Sequence, residues 1–136
     1  MMDVEVQRAI RARLIGATIV TDLVPASSIF DRHERPVLSP SIILGETQAV
    51  DEGTSMERAH VRIYHTIHVW KREPSLEGVK VICGAIRNAL HAGRLALVHY
   101  HAADCKVASI RSMRDPDGEH SHAVITVEVL VSGVLA

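Results

Sequence analysis

The sequence is short of several things that specialised proteins depend on. Aromatic residues make up only 3% of its 136 positions, and Trp70 is its one tryptophan. So few rings argue against a base-stacking platform and leave branched aliphatics and alanine to fill the interior. Charge of one sign is missing too. Fifteen Lys and Arg face sixteen Asp and Glu, a formal net charge of −1, which is not the field of a dedicated nucleic-acid binder. Cysteine is limited to Cys83 and Cys105, which form no CxxC unit and therefore no zinc knuckle or thioredoxin-like motif. No apolar run approaches the ~18 residues of a membrane span. The opening Met1-Met2-Asp3-Val4-Glu5 has no basic stretch followed by an apolar one, so the expected site of synthesis and folding is the cytoplasm. Internal repeats and low-complexity segments are absent from the pattern.

What is present suits one domain spanning 1–136. At 47% hydrophobic the chain can bury a core without disulfide or metal staples. From Asp3 to about Ile15, the apolar Val6, Ile10 and Leu14 recur every four residues, which predicts an amphipathic helix closed by Gly16 in a left-handed cap. Pro25, Pro36 and Pro40 punctuate a long irregular connection from Thr21 to Pro40, including the mixed charged run Asp31 to Arg35. A strand is expected over Ser41–Val50, followed by a polar loop from Asp51. The clearest strand is Val61–Trp70, whose odd positions are Val61, Ile63, His65, Ile67 and Val69; one face is core apart from His65. A hydrogen-bonded core histidine is the ordinary reading of that residue, and a subunit contact the alternative. Ser75 is the candidate cap of a second helix with the stripe Leu76, Val79, Ile82, Cys83, Ile86 and Leu90, closed by Gly93. Arg94–Asp104 fits neither period.

The last third reads as a hairpin. Asp115-Pro116-Asp117-Gly118 suits a type I turn with a left-handed glycine and a three-residue loop closed by Asp115 opposite Glu119. That register sets Val107 against Val127 and Cys105 against Val129 on one face, with Lys106 against Glu128 on the other. The fold class is then α+β: an antiparallel sheet of about four strands with two helices packed on one face, in the order helix, strand, strand, helix, strand, strand.

Chemistry is harder to find than structure. The pairs His99/His101 and His120/His122 would each share a strand face, but no HExxH helix or His/Cys cluster accompanies them. Solvated or interface histidines are the expectation, with no metal and no cofactor. Asp115 and Asp117 lack the remainder of a calcium loop, and the turn already explains them. No GxGxxG, GxxxxGK[ST] or GxSxG motif occurs. Cys83 lies on the apolar stripe of a helix, where an inert thiol is the common case and a Cys/His nucleophile the rare one. A metal- or cysteine-dependent enzyme is therefore the weaker, different-class alternative.

Five stretches taken together resemble the tail-completion, or tail-terminator, proteins of tailed bacteriophages. They are Glu5-Val6-Gln7-Arg8-Ala9-Ile10 running to Leu14, His68-Val69-Trp70, Ala85-Ile86-Arg87-Asn88-Ala89-Leu90-His91, Arg114-Asp115-Pro116-Asp117-Gly118, and Ser121-His122-Ala123. The likeness spans most of the chain. It departs at Ser39-Pro40-Ser41-Ile42, where the family usually has Pro-Tyr, and in the loop Asp51–Glu57. The resemblance implies a structural virion protein without catalytic residues. Such a protein forms a ring, usually a hexamer, that caps the tail tube and receives the head-completion or connector protein. DNA would pass through its lumen without specific binding, and no membrane would be involved. It also implies a place in the virion tail or neck, reached after assembly in the host cytoplasm. Another ring of the phage neck is the nearest alternative, and a bacterial adaptor of prophage origin a further one. Residues expected at subunit or tail contacts are Glu46, Gln48, Asp51, Glu52, Glu57, Arg58, Arg114 and His120.

Overall fold

The computed structural model describes residues 2–31, 39–51 and 60–133. Its elements are α1 (Met2–Gly16), α2 (Thr18–Thr21), β1 (Ile29–Phe30), β2 (Ser41–Asp51), β3 (His60–Arg72), α3 (Glu77–Leu90), β4 (His101–Arg114) and β5 (His120–Ser132). The strands form one sheet in the order β1-β2-β3-β5-β4. Helix α3 lies over β3, β4 and β5, and α1 over β1 and β2.

The α+β architecture with helices on one face is as expected, but the sheet has five strands rather than about four, and it is mixed. The added strand, β1, runs parallel to β2 through Ile29 against Ile42 and Phe30 against Ile43. It lies inside the stretch taken as an irregular connection, because two residues are too short to show a period. Both of its side chains are buried. Gly16 also differs from expectation. It ends α1 without a left-handed conformation, since among the described glycines only Gly93 and Gly118 have positive φ. The chain instead re-enters a short helix, α2, which brings Val20 into the core.

The core lies between helices and sheet. Val6, Ile10 and Leu14 of α1 and Val79, Ile82, Ile86 and Leu90 of α3 meet Ile63, Ile67 and Val69 of β3 and the odd positions of β5 from Ala123 to Val131. This is the period-2 face meeting two period-3.6 stripes. Helix α3 starts at Glu77, two residues after the expected cap. Ser75 Oγ does accept the Glu77 N–H (3.2 Å), but the main cap is the carboxylate of Glu73, which accepts the N–H groups of Gly78 (2.8 Å) and Val79 (2.9 Å).

The hairpin keeps the expected pairs Val107 with Val127, Cys105 with Val129 and Lys106 with Glu128. Its tip is one residue longer. Asp115 N–H bonds to the carbonyl of His120 (2.8 Å), so the loop has four residues and not three. The cause is Asp117, whose carboxylate accepts the N–H groups of both Glu119 (2.8 Å) and His120 (2.9 Å) and holds the chain open there. Near the tip the register is consequently shifted by one, with Arg114 opposite Ser121. A bulge between Val107 and Ser109 takes up the extra residue and restores the expected pairing. Gly118, at φ 75°, takes the left-handed position as expected.

Candidate functional site

The sheet face away from the helices carries the even positions of β3 and β5. Strand β3 sets Arg62, Tyr64, Thr66, His68 and Trp70 on this face, and thirteen antiparallel pairs with β5 fix what stands beside them. Trp70 faces His122 directly, and the two rings stack at a centroid distance of 3.8 Å with planes 6° apart. His68 follows in the row. Its Nδ1 lies 3.0 Å from Nε2 of His122, and its Nε2 lies 3.7 Å from a carboxylate oxygen of Glu46. Glu46 reaches this point because β2 is bulged between Leu44 and Thr47. Gly45 in the bulge leaves room for the His68 ring, which an added Cβ would meet at 2.9 Å.

This row of Glu46, His68, His122 and Trp70 is built for hydrogen bonding and stacking. A nitrogen facing a nitrogen at 3.0 Å requires one proton between them, so protonating both rings at that junction would break the bond. Burial, and then the neighbouring His68, hold His122 below the ordinary histidine range, against a weaker upward pull from Asp115. Farther along the face, Glu128 is bracketed by Arg62 of β3 (2.7 Å) and Lys106 of β4 (3.5 Å). The Lys106–Glu128 pair is the one expected from the hairpin; Arg62 is its addition from the third strand.

The histidine pairs named from spacing do not converge. His99 sits against the carboxylate of Glu5 (3.1 Å), and His101 against Arg94 (3.3 Å). His120 is held by Asp117 (2.6 Å), whereas His122 turns to His68. Among the described residues no group of three or more His, Cys, Asp or Glu is placed to hold a metal ion. Burial pushes both Cys83 and Cys105 up to about 11, the range of unreactive thiols. His65 departs from its ordinary reading. It is fully buried on the helix side, and neither ring nitrogen has a hydrogen-bond partner among the described residues.

The expected contact residues fall in three groups. Glu46, Gln48 and Asp51 are exposed along β2, with Glu46 also reaching His68. Arg114 and His120 are half-buried and engaged within the chain, Arg114 donating to the carbonyl of Glu73 (2.6 Å) and His120 to Asp117. Glu52, Glu57 and Arg58 lie outside the described residues. Pattern reading missed the Trp70–His122–His68 row. Alternation does place His68 and Trp70 on the polar face, but α3 separates β3 from β5 in sequence, so nothing local announces that the two strands are neighbours.

A family model described as "Tail completion protein gp17" matches residues 8–132. No curated protein sequence matches the chain. Among solved structures, a chain from one described as "Virion of native gene transfer agent (GTA) particle" superposes with a TM-score of 0.83 at 16% identity, covering 96% of this chain and 97% of that one. The gp17 protein of bacteriophage SPP1 superposes with a TM-score of 0.64 at 17% identity, covering 99% and 94%. At these identities the superpositions establish a shared fold over nearly the full length of both chains.

Proposed function

The chain belongs to the tail completion protein gp17 family, and from that premise we propose that it closes a phage tail as a homo-oligomeric ring. It is a structural tail-completion protein that caps the tail tube. The ring, expected as a hexamer, sits in the virion between the tail tube protein and the head-completion or connector protein. The observation that carries this reading is the family match across residues 8–132, which takes in the C-terminal part of α1 and every element from α2 to β5.

The physical arrangement supports a role by contact and not by covalent chemistry. The most organised polar cluster is a hydrogen-bonded and stacked row, and both thiols have high pKa values. A closed ring needs two different surfaces that repeat around an axis, and a sheet with two unlike edges supplies them. With a net charge of −1, a lumen through which DNA moves would hold the phosphate backbone only weakly.

Imaging particles from a strain lacking the protein tests the assignment. Tails of uncontrolled length are expected for a missing terminator. Tails of normal length beside unjoined heads would place the protein in another ring of the neck.

A further inference from the structure

Sheet edges rarely lie open without a reason, because a row of unpaired N–H and C=O groups is a template for another strand. This sheet has two such edges, and they differ. On one side β1 pairs only with Ile42 and Ile43 of β2. Beyond the bulge after Leu44, the run Thr47–Val50 pairs with β3 on its inner side, and no described strand lies on its outer side. On the other side β4 is the terminal strand along its whole length. Register shifts interrupt it at Ala102/Asp104 and Val107/Ser109, which leaves Ser109–Arg114 as a regular run. The bulges that ordinarily blunt an edge here bracket the two regular runs and do not interrupt them.

We infer that the edge of β2 in one copy pairs antiparallel with the Ser109–Arg114 edge of β4 in the next, so that the sheets join around the ring. This rests on the ring reading given above. Strand direction follows from the sheet itself. β2 is antiparallel to β3, β3 to β5 and β5 to β4, so β4 runs opposite to β2. Rotation about an axis along the strands preserves that relation.

Side chains choose the register. Ala49 pairs with the core residue Ile63 and Ile110 with the core residue Ile125, so both point to the helix side, where both are exposed, Ile110 by 38%. Setting Ala49 against Ile110 buries two apolar groups together. It places Gln48 against Arg111 on the opposite face and brings Glu46 to the diagonal position beside Arg111, within reach of long side chains. The two runs also differ in charge: Glu46, with a side chain 75% exposed, flanks the β2 run, and Arg111 and Arg114 lie on the β4 run.

Charge reversal tests the pairing. Glu46→Lys and Arg111→Glu are each expected to raise the concentration needed for ring assembly at least tenfold, and the double variant to restore it, with each variant chain still folded by circular dichroism. Independently, Ala49→Cys and Ile110→Cys chains prepared separately, mixed and oxidised should form a disulfide-linked dimer that neither forms with the wild-type chain. Wild-type rings with no effect of either reversal and no cross-link would overturn the edge pairing and leave the ring intact. A wild-type protein that stays a single copy, both free and on tail tubes, would overturn the ring and the pairing with it.

Discussion

Trp70 lies flat on His122, with ring centroids 3.8 Å apart. The chain has no other tryptophan, so its emission reports on one histidine. His122 is held below its ordinary value of 6.5 by burial and by His68; the ring is neutral at neutral pH and gains a proton only as the solution becomes acidic. Because imidazolium quenches indole more strongly than imidazole, Trp70 emission is expected to fall with a midpoint below 6.5. His122→Leu should flatten that titration. A midpoint above 6.5 would show that the stack stabilises the cation.

His65 supplies a pH dependence of stability. Burial pushes it down to about 4, with Glu46 pulling weakly upward. Between 6.5 and about 4 the unfolded chain therefore binds the proton and the folded chain does not. Stability from the neutral ring is complete above the unfolded value and is lost as pH falls through the folded one, by at most roughly 3 kcal/mol. His65→Leu removes two unpartnered nitrogens from the core. It should unfold at an equal or higher urea concentration at neutral pH and lose much of the slope in that window. An unchanged slope would show that other groups set it.

Glu73 caps α3 through two hydrogen bonds. Replacing it with Ala is expected to cost about 0.5–2 kcal/mol, the range for lost helix caps, read as a lower urea midpoint with unchanged m-value. Glu73→Gln keeps one acceptor and should fall between. The backbone bonds from Arg114 and to Glu119 remain in both variants.

At the hairpin tip, Gly118→Ala forces a side chain onto φ 75° and should cost about 1 kcal/mol. Hydrogen bonds from the His120 and Glu119 backbones lower Asp117 from 3.8 to about 2. The stability it gives is present above 3.8 and is lost as pH falls toward 2. Asp117→Asn should be less stable than wild type at neutral pH and converge with it in strong acid.

What could be read from the sequence was what neighbours along the chain decide. Alternation gave the faces of β4 and β5, and the stripes gave α1 and α3; the pairs from Cys105 to Val107 came out as expected because the bulge between Val107 and Ser109 cancels the longer loop. The tip register was not legible, because Asp117 captures two backbone N–H groups and lengthens the loop by one. The same limit hid Glu73, which stands before Pro74 and five and six residues ahead of the two N–H groups it caps. The row Glu46–His68–His122–Trp70 depends on three strands and a bulge at Gly45, and no local pattern encodes their adjacency. His65 could be placed on the core face from alternation; its lack of a partner could not.

Adding the purified protein to tail tubes assembled without it, and imaging the tube ends by electron microscopy, tests the central claim most directly. The account predicts a single closed ring of this chain at one end of each tube, with the expected six-fold symmetry, and no further growth of tubes so capped. Tubes that continue to lengthen, or protein bound along their sides as separate copies, would contradict it.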